Sequence, residues 1–183
     1  ADEVAKKYPD ALLLNRLDKE TSGVMMFAKN ELFQNRAIKE FKQNKVYKEY
    51  VAIVEGKVID EIIIDKPILT TKDRGSAKSK IDVKKGKPAK STVYPMLVEG
   101  NKSKIKVVIE SGRTHQIRVH LNSVGLPIIG DGVYGRTATN VTRVLLHSKI
   151  TKIFDYEFES KEPREFKVYE FNYTVNDRDV TLT

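Results

Sequence analysis

The side chains best suited to chemistry begin with a single carboxylate among bases near the amino end. Asp18 lies close to Arg16 and Lys19, and the turn-forming run Thr21-Ser22-Gly23 follows it. An ionised carboxylate can act as a nucleophile or a base at a sugar or ring carbon. An aspartate in such a run is also a common turn or capping residue. Its chemistry therefore depends on which groups the fold brings to it.

Two distant stretches contain groups that such a carboxylate would use. Arg113 and Arg118 belong to the basic run from Gly112 to His120, and either guanidinium would pair with Asp18 and stay charged when water is excluded. Tyr50 offers a flat face for a nucleobase and a hydroxyl for proton transfer. A contact between Asp18 and an arginine could equally be a structural ion pair.

Other chemistries have weaker support in the sequence. His115 and His120 are five residues apart, about 140° around a helix, so they cannot share a metal. With His147 as the third histidine and no cysteine, we expect no metal. Ser22, His147 and Asp18 could formally make a catalytic triad, but no nucleophile-elbow pattern supports it. Phosphate-binding glycine loops are absent, so no nucleotide cofactor is indicated.

Composition describes an ordinary globular chain. Its 183 residues are 40% hydrophobic and 32% charged, enough for one domain that buries roughly 70% of its unfolded surface. No apolar run approaches 18 residues and no signal-peptide pattern opens the sequence, so no membrane association is expected. The absence of cysteine fits a reducing compartment, and a cytoplasmic monomer is the expectation.

The net charge of +8 is concentrated in one stretch. Residues 72–90 contain eight basic and two acidic residues, and we expect one or two mobile loops over 71–90. Clustered positive charge points to a polyanion, although a solvated lysine-rich loop would look the same. The lysines expected to contact such a polyanion are Lys78, Lys80, Lys84 and Lys85.

The periodicity of apolar residues predicts an α+β domain, a largely antiparallel mixed sheet with flanking helices. Three helices are predicted: over residues 1–10, after Asn30, and after Thr114, which we expect to cap the last one. A further short helix is expected over 141–148. Strands are predicted at 11–14, 24–28, 46–54, 58–64, 91–98, 104–110, 150–158 and 164–169, with a fragment near the end.

A series of motifs in the same order gives the sequence a family resemblance. Asn-Arg-Leu-Asp-Lys-Glu-Thr-Ser-Gly at 15–23 resembles the catalytic motif of the RluA-type pseudouridine synthases. Lys48-Glu49-Tyr50 resembles the Lys-x-Tyr strand of that family, and Gly-Arg-Thr-His-Gln-Ile-Arg at 112–118 resembles a third motif. Gly-Asp at 130–131 with Tyr-Gly at 134–135, and Leu-His-Ser at 146–148, resemble later ones.

The resemblance implies an isomerase that converts uridine in ribosomal or transfer RNA to pseudouridine without cofactor or metal. Asp18 would be the catalytic carboxylate, Arg118 its partner, and Tyr50 would stack on the uracil and handle a proton. Arg16 would fill the gap left by the flipped nucleotide or hold its phosphate, and Ile117 would line the uracil pocket. Whether Asp18 bonds to the sugar, bonds to the base or removes a sugar proton stays open.

Two departures from the family pattern accompany the resemblance. Asn15 stands where the family commonly has His, a position expected to support the loop. Residues 1–183 would form one catalytic domain lacking the family's first Asn-Lys-Pro strand and any RNA-binding module. Two other functions stay open: an RNA-binding domain without catalysis, and a glycosidase or nucleoside hydrolase. The hydrolase would need a second carboxylate, for which Glu20 and Asp131 are candidates by residue type.

Overall fold

The computed structural model describes residues 2–136, 141–167, 173–175 and 180–182. The predicted α+β class is confirmed, because the described residues are mostly antiparallel strands with few helices. The helices are α1 (Asp2–Lys7), α2 (Glu31–Lys42) and α3 (Gln116–Ser123), with one 3-10 turn at Arg164–Lys167. None of these helices has the length and apolarity needed to cross a bilayer.

Thirteen short to medium strands occur in the described residues. In chain order they are β1 (Leu12–Leu13), β2 (Ser22–Gly23), β3 (Phe27–Ala28), β4 (Tyr47–Glu55), β5 (Ile62–Asp65), β6 (Ile68–Asp73), β7 (Ser76–Ile81), β8 (Lys90–Glu99), β9 (Lys102–Ile109), β10 (Leu146–Ile153), β11 (Tyr156–Glu159), β12 (Tyr173–Val175) and β13 (Val180–Leu182).

One large sheet organises the domain. Its order is β11-β10-β4-β9-β8-β12-β13, with β2 paired to β10 and β5 paired to β8. Strand β4 lies between β9 and β10, and its residues 51–54 are fully buried. The pairing of β2 with β10 is parallel, whereas the other pairings in this sheet are antiparallel. This parallel pairing joins the Thr-Ser-Gly turn to the centre of the sheet.

Helices α2 and α3 pack in different apolar cores. Asn30 caps α2 as predicted, since its side chain accepts a 2.8 Å hydrogen bond from Phe33 N, and Ala37 is buried against the smaller of two apolar cores. Every residue of α3 from Gln116 to Leu121 is buried, and Ile117 and Leu121 pack in the larger core. A helix buried over most of its length holds its side chains in fixed positions, which suits a site built on it.

The predicted loops over 71–90 are partly wrong, because β6 and β7 form a hairpin there. The two residues between these strands, Arg74 and Gly75, both have positive φ, as the tight two-residue turns that match strand twist require. The following turn is fixed by Asp82, whose Oδ1 accepts the N–H groups of Lys84 and Lys85. The lysine-rich composition of these residues therefore did not indicate the regular hairpin that they form.

Three further predictions differ from the structure. Thr114 does not cap α3; the residue before the helix is His115, in a left-handed conformation. Residues 146–148 belong to β10 and not to a helix, because β4 and β2 pair with them on both sides. The predicted strand over 150–158 is a hairpin turned at Phe154 (φ 52°), and 164–167 is a 3-10 turn. Residues 168–169 of the last predicted strand lie outside the described residues.

Candidate active site

The loop that carries Asp18 is anchored at both sides. Asn15 accepts a 2.7 Å hydrogen bond from Met26 N and donates to the Val24 carbonyl at 3.2 Å, which is the supporting role expected of that position. Gly23 has φ 124°, and a Cβ there would lie 2.1 Å from the Ser148 carbonyl oxygen. Only glycine allows so close an approach between β2 and β10. The loop therefore has one defined path.

Ser22 and His147 form a hydrogen-bonded pair that serves this anchoring. Ser22 Oγ lies 2.7 Å from His147 Nδ1 and accepts a 2.7 Å bond from Arg143. The other ring nitrogen of His147 lies 3.1 Å from the Ser160 carbonyl oxygen. Asp18 therefore does not complete a triad with them, since a backbone carbonyl occupies the position that a triad carboxylate would take.

Arg118 returns to Asp18 across about a hundred residues of sequence. Its Nη1 lies 3.7 Å from Asp18 Oδ2, so the predicted approach is present. The Arg118 side chain is buried, and the side chain of Asp18 is 27% exposed. Asp18 is thus held against a fixed positive charge while its side chain remains partly open to solvent, as a reacting group requires.

The main partner of Arg118, however, is Asp131. The two form a bidentate pair with both N–O distances at 2.8 Å, and Asp131 Oδ1 also accepts the backbone N–H groups of Val133 and Tyr134. Burial alone would lower the pKa of Arg118, but Asp131 and then Asp18 raise it above its usual value. Burial would raise the pKa of Asp131, but Arg118 and these backbone bonds hold it below the usual range. Both groups stay charged inside the protein.

His115 approaches Asp18 from a second direction. Its Nε2 lies 3.8 Å from Asp18 Oδ1, and its Nδ1 lies 2.6 Å from the hydroxyl of Tyr134. The Tyr134 hydroxyl also accepts the Ser79 N–H at 2.8 Å, so its own proton is available for His115 Nδ1. When Tyr134 donates this proton, the ring proton of neutral His115 is on Nε2, facing Asp18. The left-handed φ of 55° at His115 makes this orientation possible.

The charge state of His115 follows from its surroundings. Burial lowers the pKa of His115, Asp18 and Asp131 oppose this effect, and Arg118 adds to it. The net shift is downward, so the imidazole is neutral at pH 7. Two different groups, a guanidinium and a neutral imidazole, therefore define the position of the Asp18 carboxylate.

Tyr50 interacts electrostatically with this carboxylate, and Ile117 directly precedes Arg118 on α3. Burial raises the pKa of Tyr50 above its usual value; a hydrogen bond with Ser148 opposes the shift and the charge of Asp18 adds to it. The sensitivity to Asp18 places the phenol in the same charged cluster, and its direction keeps the phenol protonated in the free protein. Ile117 is 4% exposed and packs in the main core, at the base of α3 next to Arg118.

The remaining predicted residues lie outside this cluster. Arg16 is exposed, and Arg113 is bound through Nε to the Pro88 carbonyl at 3.0 Å. Lys78 and Lys80 lie on β7, on the face opposite to Ser79, and Lys84 and Lys85 follow in the Asp82 turn; all four are exposed. None of the contacts within the described ranges joins these six side chains to Asp18. The hairpin reaches the site through the backbone of Ser79.

Neither a cavity nor a group of metal ligands identifies the position of the site. A cavity of about 370 Å³, lined by residues that include Glu55, Asn122 and Arg136, shares only Tyr134 with the Asp18 cluster. Across residues 2–136, 141–167 and the two short terminal strands, no three His, Asp or Glu side chains are grouped as metal ligands. We therefore define the site by charge and contact: Asp18, Arg118, Asp131, His115, Tyr134 and Tyr50.

Three of these residues were missed or misjudged from the sequence. Residue type suggested Asp131 only as a hydrolytic carboxylate, and it gave His115 and Tyr134 no part in the site. The sequence did contain a signal for Asp131. A guanidinium has five N–H donors, so a buried arginine needs more than one acceptor group. The carboxylate in the Gly130-Asp131 loop had no other partner assigned and was a candidate second acceptor. The contact of His115 depends on a backbone conformation that periodicity does not report.

Comparison with known proteins identifies the fold. A sequence profile described as RNA pseudouridylate synthase matches residues 5–123. A Helicobacter pylori protein named "Uncharacterized RNA pseudouridine synthase" is 46% identical over 157 residues, which are 85% of this chain and 64% of that protein. "Ribosomal large subunit pseudouridine synthase D" of Buchnera aphidicola subsp. Baizongia pistaciae is 35% identical, covering 90% of this chain and 57% of that protein.

Solved structures agree with the sequence relatives. Human RNA Pseudouridylate Synthase Domain Containing 1 matches with a TM-score of 0.73 at 27% identity, over 88% of this chain and 72% of that chain. Human RNA Pseudouridylate Synthase Domain Containing 4 has the same TM-score at 22% identity, over 86% and 73%, and shows the shared fold. The fold is therefore the one shared by these RNA pseudouridylate synthases. The chain belongs to the RNA pseudouridylate synthase family. It spans 64% and 57% of the two curated relatives described above.

Proposed function

We propose that this chain converts specific uridines in RNA to pseudouridine, with Asp18 as the single catalytic carboxylate and with no metal or cofactor. The observation that supports this most directly is the Asp18 carboxylate itself. It is partly exposed, lies 3.7 Å from the buried guanidinium of Arg118 and faces His115. In a member of this family, an oriented carboxylate next to an aromatic residue suits a reaction that breaks and remakes a glycosidic bond.

The reaction is an isomerisation, so its atoms balance within the substrate. The bond between C1′ and N1 breaks, the detached uracil turns, a bond forms between C1′ and C5, and the C5 proton leaves. Asp18 would act on the sugar, on the base or on a sugar proton, and its position beside a fixed positive charge serves each route. Arg118 would hold the carboxylate in place and balance its charge through each step.

Tyr50 and Ile117 would bind the base. The phenol ring of Tyr50 provides a stacking surface, and its hydroxyl would take part in the proton transfer from C5. The raised pKa of Tyr50 means that it enters the reaction as a phenol, so proton transfer would require a change in its surroundings when substrate binds. Ile117 would close the apolar side of the uracil pocket.

The basic groups would bind the RNA backbone. A uridine inside a helix must be extruded at a cost of a few kcal/mol, which phosphate contacts can offset. Arg16 and Arg113 flank the site in sequence, and the hairpin provides exposed charge at Lys78, Lys80, Lys84 and Lys85. Relatives named for the ribosomal large subunit favour ribosomal RNA over transfer RNA as the substrate. We further propose that residues 1–183 act as a single, monomeric, cytoplasmic catalytic domain.

Hydrolysis of the glycosidic bond fits the site less well. A hydrolase needs a second carboxylate to manage water. Asp131 is 1% exposed, and its oxygens accept hydrogen bonds from Arg118, Val133 and Tyr134, so it is poorly placed to activate a water beside Asp18. Glu20 is exposed on the loop, and no contact within the described residues turns it toward Asp18.

The product distinguishes these functions. Large-subunit ribosomal RNA transcribed without modification would be incubated with the protein in the presence of a chelator, digested to nucleosides and separated by chromatography. We expect pseudouridine to appear as uridine disappears, with no free uracil. Free uracil would identify a hydrolase. Tight RNA binding with unchanged nucleosides would identify a binding domain.

A further inference from the structure

Lys48 lies on the same face of β4 as Tyr50. Side chains two residues apart on a strand point the same way, with their Cα atoms about 7 Å apart, so both side chains project from one face of the sheet. Lys48 Nζ is also next to the turn that precedes α3, since a Cβ on Gly112 would lie 3.3 Å from it. The half-buried lysine is thus fixed between the Lys-x-Tyr strand and the Gly-Arg-Thr turn.

No carboxylate neutralises Lys48. Two other half-buried lysines have one: Lys104 lies 2.7 Å from Glu162, and Lys149 lies 3.1 Å from Glu159. Within the described residues Lys48 Nζ makes no ion pair or hydrogen bond, and its nearest aromatic contact is the Phe41 ring, 5.9 Å away. Among the described residues, no fully buried side-chain nitrogen lacks a hydrogen-bond partner. Because the Lys48 ammonium has no such partner, it is not fully buried and remains reachable from solvent.

The neighbouring charge is also positive. Arg113 follows Gly112, and its Nε is bound to the Pro88 carbonyl. Its two terminal nitrogens have no acceptor among the described residues. Burial, and secondly the charge of Arg113, lower the pKa of Lys48 to about 8. Two adjacent cations with unused donors and no carboxylate are costly unless an anion binds between them.

We propose that Lys48 and Arg113 form a binding site for an RNA phosphate next to the uridine bound at Tyr50 and Asp18. The identity of the anion rests on the proposed function. A nucleotide turned into the site brings its own phosphates with it, and phosphate contacts fix the register of the strand. The exposed lysines of the hairpin would add charge farther out, whereas this pair would hold the backbone of the reacting nucleotide.

A proton linkage follows from the position of Lys48. A bound phosphate favours the ammonium form and raises the pKa of Lys48, so RNA binding takes up a proton near pH 8 and above. The groups packed against Lys48 otherwise do not titrate in this range: Ile109 on β9, Thr151 on β10 and Phe41 on α2, with Arg113 always charged. The affinity for RNA should therefore fall as pH rises above 8, by up to tenfold per pH unit.

The test measures RNA affinity against pH. A fluorescently labelled RNA stem-loop with one uridine in its loop would be titrated by anisotropy from pH 6.5 to 9 at constant ionic strength. We compare the wild-type protein with Lys48→Arg, Lys48→Met and the exposed control Lys45→Met. Lys48→Arg should keep its affinity at pH 7 and lose the decline above pH 8. Lys48→Met should bind roughly ten- to a hundredfold more weakly at pH 7, as expected when one charge-assisted hydrogen bond is removed, whereas Lys45→Met should bind as wild type does.

The outcomes separate this proposal from the proposed function. If Lys48→Arg retains the wild-type decline above pH 8, or if Lys48→Met binds as tightly as Lys45→Met, Lys48 does not bind phosphate. The Arg variant keeps the charge and the packing, so it decides the question even if Lys48→Met folds poorly. Proton-linked binding by a protein that makes no pseudouridine would leave the anion site standing and overturn the proposed activity. Pseudouridine formation without this pH dependence of RNA binding would support the proposed activity and overturn the anion site.

Discussion

The buried pair of Arg118 and Asp131 is the strongest electrostatic contact of the site, and Asp131→Asn breaks it with the smallest change in shape. Both side chains are nearly sealed from solvent, at 6% and 1% exposure. The substitution puts an amide N–H where Asp131 Oδ2 accepts the Nε–H of Arg118, so two donors face each other. It also removes the main negative charge that compensates the guanidinium.

The expected cost is about 3 kcal/mol in the free energy of unfolding. Breaking a buried ion pair typically costs roughly 3–5 kcal/mol. We expect the lower end, because the amide oxygen can still accept from Val133 and Tyr134 and because Asp18 remains 3.7 Å from the same guanidinium. A protein of this size loses about 2–4 °C of melting temperature per kcal/mol, so the loss should be about 6–12 °C.

Urea unfolding and calorimetry at pH 7 would measure the difference, with Glu157→Gln as the control. That substitution breaks an ion pair at 3.0 Å whose side chains are 49% and 55% exposed, so it should change stability by less than about 1 kcal/mol. A loss below 1 kcal/mol for Asp131→Asn as well would refute the assignment of the buried pair as a main stabilising contact.

The pH dependence of the difference gives a second check. The folded protein holds the pKa of Asp131 below its unfolded value of about 4. Stability from this group is therefore complete above that value and is lost as pH falls through the folded pKa. The gap between wild type and Asp131→Asn should be constant from pH 7 to about pH 5 and narrow in more acidic solution. A gap that widened on acidification would contradict the assigned charge.

Two further substitutions test how the surroundings serve Asp18. Tyr134→Phe keeps the ring against Arg118 but removes the hydroxyl that joins Ser79 to His115, so kcat should fall roughly tenfold or more with little change in KM for RNA. Thr70→Val, which removes a 2.8 Å hydroxyl contact in the same hairpin, should leave kcat unchanged, and an equal fall in both variants would show a general effect of the hairpin. Neutralising three of the four exposed lysines on β7 and in the Asp82 turn should flatten the slope of log affinity against log salt by about 3, at roughly one unit for each phosphate that is no longer neutralised. An unchanged slope would exclude them as phosphate ligands. The four are Lys78, Lys80, Lys84 and Lys85.

Local patterns predicted the parts of the fold that depend on nearby residues. Alternation and apolar runs located β4, β8 and β9, and Asn30 identified the start of α2. These successes rest on periodicity and capping, which are readable one segment at a time. The approach of Arg118 to Asp18 was also predicted, but residue type left both Arg113 and Arg118 as candidates and the family resemblance pointed to Arg118.

The failures share a different origin. The strand at 146–148 is set by pairing with β4 and β2, which are far away in sequence, so local propensity favoured the wrong element. The left-handed backbone of His115 and the bidentate pair between Arg118 and Asp131 depend on burial and on tertiary contacts. Residue type alone could not show which of two carboxylates is the main partner of Arg118, because that depends on which of them is more deeply buried.

The most direct measurement is release of tritium from RNA that carries 5-³H-uridine, because forming the new bond to C5 expels that hydrogen. The wild-type protein should release tritium without added metal, and Asp18→Asn should reduce release to background while melting at a similar temperature. Glu20→Gln, an exposed carboxylate on the same loop, should release tritium as wild type does. Undiminished release by a folded Asp18→Asn variant would contradict the assignment of Asp18 as the catalytic carboxylate.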